Sequence, residues 1–387
     1  MSDVHDAGDV VGPAGPVDPV AWTCPVPLRD HDRIVSGHGG GGRLSKELVE
    51  HLFLPAFGAA PDDPSHDSVV LPMPTGGRLA FSTDSYVVTP VEFPGGSIGD
   101  LAVNGTVNDV AMSGAVPIAL SAAFVLEEGL ELAVLGRIAT DMGRAAREAG
   151  VRLVTGDTKV VEARERGGLT ITTAGFGVVP DGVDLGPHRL RAGDQVLLSG
   201  PIGQHGMAIM SRREGLEFAS ELATDSAALT GLVQTMLAAV PGAGTSGVSS
   251  GVSSGVSSGS GGGGVRALRD ATRGGFAAVL CELAEGAGLG IEYDERAVPV
   301  PPDVAAACAF LGLDPTHVAN EGKLVAVVAA VDAEVVLAAM RAHPHGREAV
   351  RVGEVVDDHH GIVVARTGLG AKRVVDLPLG EQLPRIC

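Results

Sequence analysis

The sequence predicts a protein of two domains in which strands and helices are mixed. Its 387 residues exceed the usual size of a single domain. Hydrophobic residues make up 45% of the chain and charged residues 19%, so there is enough apolar material for a core, and general disorder is excluded. Segments with strand patterns alternate with segments of helical spacing, which indicates an α/β or α+β fold.

Strand-like and helix-like segments follow one another through most of the chain. Residues 132–150 have helical spacing and end in Gly150, a favourable helix C-cap. Residues 151–161 begin as an apolar strand, which we expect to break at Gly-Asp-Thr-Lys. The other predicted elements are strands at 78–88, 169–179 and 323–330, helices at 271–288 and 331–343, and a turn, strand, glycine loop and helix within 191–215.

Two segments lie outside this alternation. Residues 1–33 are rich in Pro, Gly and Asp, which is typical of a disordered extension. Residues 242–264 repeat Ser-Gly-Val-Ser and end in a glycine run, which is typical of a flexible loop inserted within a domain. We therefore predict an N-terminal domain at 34–186, a C-terminal domain at 187–376 and a mobile tail at 377–387.

Charge and cysteine usage exclude several classes of function. A net charge of −19 with only 3% aromatic residues disfavours nucleic-acid binding. The four cysteines, Cys24, Cys281, Cys308 and Cys387, form no CxxC pair, which excludes the usual zinc spacing and indicates a reduced protein. The N-terminus lacks the pattern of a signal peptide, and no apolar run reaches the roughly 20 residues that span a membrane. We expect a cytoplasmic protein that binds neither nucleic acid nor membrane.

Four aspartates recur at predicted strand ends or turns: Asp67, Asp84, Asp109 and Asp157. Each one alone is typical of a helix cap or a turn. Together, with small neighbours, they favour a site in which Mg²⁺ bridges nucleotide phosphates, because Mg²⁺ takes one or two carboxylates and completes its shell with water and phosphate oxygens. Lys159, close to Asp157, would contact phosphate or move a proton; a surface ion pair is the alternative.

Three further motifs permit more than one interpretation. The glycine-rich residues 37–42 precede a helical pattern and favour an approach to phosphate, but Gly-Lys-[Ser/Thr] is missing, so this is not a Walker A loop. A flexible flap that binds no ligand is the alternative. Arg273, followed by two glycines, suits an anion at a helix start, while a simple N-cap by Asp270 or Thr272 is the alternative. Glu321 belongs to a polar cluster before an apolar strand, which is also consistent with a turn.

Taken together, these segments resemble the HypE family of hydrogenase maturation factors. The match runs from about residue 34 to the last residue, and its most specific segments are TGDTKV at 155–160, ANEGKL at 319–324 and PRIC at 384–387. The resemblance implies an aminoimidazole ribonucleotide synthetase-like fold, with an α/β domain, an α+β domain and a flexible C-terminal tail. It also implies a homodimer, with ATP and Mg²⁺ bound near the dimer interface.

The resemblance also implies a role for the terminal cysteine. A carbamoyltransferase partner, HypF, would place a carbamoyl group on Cys387, and ATP-dependent dehydration would convert it to a thiocyanate. The cyanide would then pass to iron on a HypC–HypD complex, for [NiFe]-hydrogenase. Glu321 would act as the base and Lys159 would stabilise the carbamoyl oxygen. The implied nucleotide contacts are Asp84, Asn108, Asp109, Gly156, Asp157, Thr158 and Arg273, and the implied metal ligands are Asp67, Asp84, Asp109 and Asp157.

The sequence departs from the family pattern at four places. These are the insertion at 242–264, the long N-terminal extension, Asp67 in place of an Asp-Asp pair, and Gln204 where an aspartate is usual. Two other functions stay open. A kinase or synthetase of the same superfamily, acting on a small molecule, would stay active without Cys387. A scaffold without catalysis would tolerate substitution of Asp84 or Asp157.

Overall fold

The computed structural model describes residues 28, 31–58, 68–72, 74–163, 168–215, 222–240 and 264–377. The predictions for the first 27 residues, the inserted repeat at 242–263, Asp67 and the tail at 378–387 with Cys387 lie outside these ranges. The helices are α1 (Arg43–Leu48), α2 (Leu54–Phe57), α3 (Ile98–Met112), α4 (Leu132–Ala149), α5 (Gln204–Glu214), α6 (Thr230–Ala239), α7 (Gly275–Ala287), α8 (Pro302–Leu311) and α9 (Ala333–Ala342).

The strands form two large sheets and one short hairpin. They are β1 (Arg78–Tyr86), β2 (Glu92–Phe93), β3 (Gly96–Ser97), β4 (Val116–Glu127), β5 (Arg152–Val161), β6 (Leu169–Val179), β7 (Gln195–Leu198), β8 (Val265–Asp270), β9 (Gly290–Asp294), β10 (Leu324–Val328), β11 (Val350–Val356), β12 (Val363–Arg366) and β13 (Lys372–Val375).

The N-terminal sheet has four strands in the order β1-β6-β4-β5, and only β4 and β5 run parallel. Helices α3 and α4 contribute their apolar residues to the core on one face of this sheet. The opposite face is open among the described residues: Leu79 and Phe81 of β1 are 59% and 67% exposed, and Phe81 pairs with Phe176 of β6. Exposed apolar side chains on a sheet face are typical of an interaction surface.

The C-terminal sheet has seven strands in the order β13-β12-β9-β11-β7-β10-β8. All its pairs are antiparallel except β9 with β12. Helix α7 packs on one face, and α6 and α9 pack on the other. The two sheets with their helices confirm the mixed two-domain fold class that the sequence predicts. Among the described helices, none combines the length and apolar character needed to cross a bilayer.

Helix α3 lies at the centre of the molecule. Every residue from Ile98 to Met112 is buried except Asp109. A helix that is buried on all sides must be covered by more than one partner. It contacts β1, β4 and β6 on one side, and β8 and α6 of the C-terminal half on the other. Its single exposed residue, Asp109, lies near Asp84 of β1 and Arg269 of β8, so it sits where the two halves meet.

Most predicted elements are confirmed, and one prediction is wrong. Helix α4 ends at Ala149, and Gly150 follows it with a left-handed φ of 72°, as a C-cap requires. Strand β5, however, does not break at Gly-Asp-Thr-Lys: it continues through these residues to Val161. Parallel pairing with β4 extends along the whole segment and overrides the local preference of Gly and Asp for turns.

Candidate active site

Glu321 lies in the short loop that precedes β10 and is 3% exposed. Its neighbour Asn320 fixes this loop: its Oδ1 accepts a hydrogen bond from the Gly203 N–H at 2.7 Å, and its Nδ2 donates to the Ala271 oxygen at 2.9 Å. Asn320 is completely buried, so each of these bonds is protected from water. The loop therefore holds Glu321 in a defined position.

The environment of Glu321 favours the neutral form of its carboxyl group. Burial is the main cause and raises its pKa well above the ordinary value of 4.5. The negative charges of Asp270, Asp225 and Asp84 raise the pKa further, whereas the positive charge of Arg273 lowers it. A carboxyl group in such surroundings, once it loses its proton, is a much stronger base than an exposed glutamate.

Asp84 of β1 and Asp109 of α3 lie close together: burial raises the pKa of Asp109, and the negative charge of Asp84 raises it further. Ser82 lies on the same face of β1 as Asp84, and its hydroxyl donates to Asp109 Oδ2 at 2.8 Å. Further along this face, the Tyr86 hydroxyl lies 3.2 Å from that of Thr106, which joins β1 to α3. The sequence predicts Asp109 at a strand end or turn, but the structure places it in the last turn of α3.

Asp270, the last residue of β8, completes a group of carboxylates with Asp84 and Asp109. It is 8% exposed, and its Oδ2 has no hydrogen-bond partner within the described part of the chain. Burial, followed by the charge of Asp109, raises its pKa to about 7. The sequence suggested Asp270 only as a cap or part of an anion site, and its position among other carboxylates could not be read from its neighbours.

This carboxylate cluster (Asp84, Asp109 and Asp270) fits a hard cation. The buried Oδ2 of Asp270 has no hydrogen-bond partner among the described residues, and the other two carboxylates add negative charge beside it. A bound Mg²⁺ would neutralise this charge. Among the described residues, no group of three or more His, Cys, Asp or Glu side chains is arranged to hold a metal ion. A cation here would therefore need phosphate oxygens and water in addition to one or two of these carboxylates, which is the coordination that Mg²⁺ prefers. Asp67, the fourth predicted ligand, lies outside the described residues.

Asp157 and Lys159 lie apart from the cluster. Their side chains are both 66% exposed, and Lys159 Nζ is 3.8 Å from Asp157 Oδ2. Strand register places them on the open face of the N-terminal sheet, because Asp157 pairs with Ala123, and Ala123 with Thr172. Asp84 faces α3, on the opposite face, and lies on the opposite edge strand, three strand spacings or about 14 Å away. Within one chain, the structure does not bring these two groups together.

The other predicted nucleotide contacts have varied surroundings. At Gly156 a side chain would collide with the Ala122 backbone oxygen of β4, so glycine is required for this strand pairing. Thr158 is half-buried on the same strand, and Arg273 is exposed just before α7. Asn108 is buried and bonds to backbone: its Oδ1 accepts from the Leu229 N–H at 2.7 Å, and its Nδ2 donates to the Ala227 oxygen at 3.0 Å. Direct contact of these residues with a nucleotide stays a prediction.

The glycine-rich loop packs against the edge of the N-terminal sheet. Residues 36–39 form a short turn of helix, and a side chain at position 39 would lie 2.5 Å from the backbone nitrogen of Val160. Helix α1 then begins at Arg43, as the sequence predicts. The loop therefore lies beside Lys159 on β5 and not beside the carboxylate cluster.

Asp225 is a buried site residue that the sequence did not reveal. It precedes α6, and its Oδ2 accepts a hydrogen bond from Lys323 Nζ at 3.0 Å. The only local signal is a Thr-Asp-Ser sequence, which is equally typical of a turn. Its contact with the Glu321 loop depends on a long-range approach of two segments, which no local pattern predicts.

Comparison with known proteins gives a consistent result. Residues 65–179 match the model of the AIR synthase related protein N-terminal domain, and residues 252–366 match that of the C-terminal domain. The chain is 52% identical to the carbamoyl dehydratase HypE of Cupriavidus necator over 92% of this chain and 95% of that one.

Two solved structures are similar over most of the chain. The crystal structure of the hydrogenase maturation protein HypE in complex with ATP matches with a TM-score of 0.80 and 42% identity, over 91% of this chain and 99% of that one. A chain of the crystal structure of a HypE–HypF complex matches with a TM-score of 0.69 and 42% identity, over 78% of this chain and 90% of that one. The chain therefore belongs to the HypE family of carbamoyl dehydratases, within the AIR synthase related proteins.

Proposed function

We propose that this chain uses ATP to dehydrate a carbamoyl group on the sulfur of its own Cys387, forming a thiocyanate. The observation that carries the proposal is the buried Glu321, whose raised pKa suits a base, next to a carboxylate cluster that fits Mg²⁺. The ATP complex of the similar HypE structure supports nucleotide binding. The terminal PRIC segment supports the cysteine as the carrier.

The chemistry requires both a phosphate donor and a base. An amide oxygen is a poor leaving group, so the carbamoyl oxygen attacks the terminal phosphorus of ATP and ADP departs. One N–H proton leaves as the C=N bond forms. Loss of phosphate then breaks the C–O bond while the second N–H proton leaves, which gives S–C≡N. Glu321 accepts a proton from the nitrogen, and Lys159 stabilises charge on the carbamoyl oxygen as it gains the phosphoryl group.

The carboxylate cluster would hold Mg²⁺, which neutralises phosphate charge when it is bound. Asp84, Asp109 and Asp270 are the residues of the described chain that would do so. Arg273, which lies near Glu321 at the start of α7, would contact the phosphates or the departing phosphate ion. These side chains would bind and orient the nucleotide, so that the carbamoyl group on Cys387 meets its terminal phosphate next to Glu321.

We further propose that the active unit is a homodimer, in which the open faces of two N-terminal sheets meet. The exposed Leu79 and Phe81 on this face support an apolar interface. Asp157 and Lys159 lie on the same face, away from Glu321. A complete site would therefore combine Lys159 of one protomer with Glu321 of the other.

Mixed dimers test this arrangement. Lys159→Ala and Glu321→Gln proteins should each dehydrate at a very small fraction of the wild-type rate, but a mixture that exchanges protomers should regain about a quarter of the wild-type rate. Half of its dimers are heterodimers, and each heterodimer has one complete site out of two. Native mass spectrometry would confirm exchange, and the ATP-dependent mass change would report activity.

A matched control mixes Glu321→Gln with Asp84→Asn. Both changes damage the same group of side chains, so no complete site forms and no activity should return. Activity that stays absent in Lys159→Ala/Glu321→Gln heterodimers would contradict the shared site.

We propose two kinds of protein partner. HypF, seen with HypE in the similar complex, would supply the carbamoyl group. A HypC–HypD complex holding iron would receive the cyanide destined for [NiFe]-hydrogenase. Both transfers require a thiol that stays reduced, so we place the reaction in the cytoplasm.

Intact-protein mass spectrometry tests the proposed function directly. The wild-type protein is carbamoylated by HypF and then given Mg-ATP. We expect a carbamoyl adduct, followed by ATP-dependent loss of one water molecule. An adduct that keeps its mass after ATP is added would contradict dehydration, and would favour a small-molecule kinase of the same superfamily.

A further inference from the structure

Residues 222–229 form a segment that joins the two halves of the molecule next to Glu321. On the N-terminal side, the Thr224 N–H donates to the Pro94 oxygen at 2.9 Å, and Asn104 Nδ2 donates to Ser226 Oγ at 3.1 Å. At its end, the Leu229 N–H donates to Asn108 Oδ1 at 2.7 Å. The segment is therefore anchored on helix α3.

On its other side, this segment holds the backbone of Glu321 from both directions. Asp225 Oδ1 accepts a hydrogen bond from the Glu321 N–H at 3.1 Å. The Ala227 N–H donates to the Glu321 oxygen at 3.3 Å. At Gly322 an added side chain would collide with the Asp225 backbone oxygen. The two backbone segments, 222–229 and the Glu321 loop, are therefore as close as glycine allows.

The Asp225 carboxylate is itself held in place by an ion pair. Its Oδ2 accepts from Lys323 Nζ at 3.0 Å, and the two side chains are only 3% and 13% exposed. A buried charge that loses its partner is strongly disfavoured, so this pair keeps both side chains in one arrangement. Asp225 thus connects the residues on either side of Gly322, with Glu321 before it and Lys323 after it.

We propose that Asp225 is a positioning residue that sets the location of Glu321 relative to the carboxylate cluster. The proposal rests on the proposed function, in which Glu321 is the base. Asp225 touches no reacting atom: it positions Glu321 through the backbone N–H, and its charge acts on the Glu321 carboxyl group from outside the reaction. Helix α3 supplies Asp109 and also anchors residues 222–229. The contact from Asp225 therefore fixes the distance between Glu321 and the carboxylate cluster.

Three variants test the proposal. Asp225→Ala removes both hydrogen bonds. Asp225→Asn keeps an oxygen for the Glu321 N–H but loses the charge paired with Lys323. The matched control is Asp194→Ala, which breaks another buried ion pair, with Arg266 at 3.5 Å. This control pair lies at the opposite end of the strands, because β10 starts opposite Asp270 and ends opposite Gln195, next to Asp194.

Two quantities are measured on full-length protein: the single-turnover rate of ATP-dependent water loss from the carbamoylated chain, and the Kd for Mg-ATP by calorimetry. We expect Asp225→Ala to slow water loss about a hundredfold. Asp225→Asn should slow it about tenfold, a partial rescue by the remaining hydrogen bond. The Kd for Mg-ATP should stay within about threefold in both. Asp194→Ala should lower the Tm but keep the rate within about threefold.

The possible outcomes are distinct. Wild-type rates in both Asp225 variants would overturn the positioning role. A rate loss of equal size in Asp194→Ala would also overturn it, since general destabilisation would then be the cause. If circular dichroism shows that Asp225→Ala is unfolded, the dehydration rate of Asp225→Asn is compared with the rates of the wild type and of Asp194→Ala instead. A wild-type chain that takes the carbamoyl group but loses no water would instead overturn the proposed function, and the inference with it.

Discussion

The Cys387→Ala protein is expected to accept no carbamoyl group from HypF and to show no loss of water with Mg-ATP. Only a thiolate attacks well, and an alanine side chain offers no nucleophile. The two other cysteines in the described ranges cannot substitute for it. Burial raises the pKa of Cys281 and of Cys308 to about 11, so both are thiols at neutral pH.

The comparison for this prediction is the Cys281→Ala protein, because Cys281 is half-buried and more accessible than Cys308. It should be carbamoylated and dehydrated like the wild type, as read from the intact mass. Binding of Mg-ATP, measured by calorimetry, should be unchanged by Cys387→Ala. A carbamoyl adduct on the Cys387→Ala protein would refute the carrier role of Cys387. The alternative function, a small-molecule kinase of the same superfamily, would then be favoured.

The Glu321→Gln protein is expected to accept the carbamoyl group but to dehydrate it about a thousandfold more slowly. Glutamine has nearly the same size as glutamate and keeps the backbone contacts, but it cannot take a proton from the carbamoyl nitrogen. Loss of a general base typically costs 10²–10⁴ in rate, so about a thousandfold is the middle of that range. The single-turnover loss of water, followed by mass spectrometry, measures the effect.

The pH dependence separates loss of a base from misfolding. Burial and the neighbouring aspartates raise the pKa of Glu321, so its base form appears only well above pH 4.5. The wild-type rate should therefore rise with pH through that raised pKa, whereas the residual Glu321→Gln rate should lack this rise.

Asp100→Asn provides a buried carboxylate control at the far end of α3, where Asp100 is paired with Arg144. It should keep the rate and its pH dependence. A Glu321→Gln rate close to that of the wild type would rule out Glu321 as the base.

The sequence predicts the elements of this fold better than their contacts. Helix α4 with Gly150 and strand β10 are readable because their patterns are local. The continuation of β5 through Gly156 and Asp157 is not readable, since pairing with β4 decides it. The propensity of Gly and Asp for turns is weak compared with a continuous row of strand hydrogen bonds.

The candidate site shows the same limit. The resemblance identifies Glu321 and Lys159, but only strand register shows that Lys159 points away from Glu321 within one chain. Asp270 joins Asp84 because β8 packs beside α3, a contact between residues far apart in sequence. Which charged side chains lie together depends on the order of the strands and on the sheet face that each side chain occupies. A single sequence contains no direct signal for either.

The burial of α3 on all sides has a consequence for how the chain matures after synthesis. The strands of its own sheet cover one side of this helix, but β8 and α6 cover the other, and the ribosome makes these much later. An N-terminal half released or stalled before that point would present an apolar helix to water, which favours aggregation or capture by a chaperone. The N-terminal half therefore completes its core only with β8 and α6, and the candidate site, which takes Asp270 and Glu321 from the C-terminal half, forms only late in synthesis.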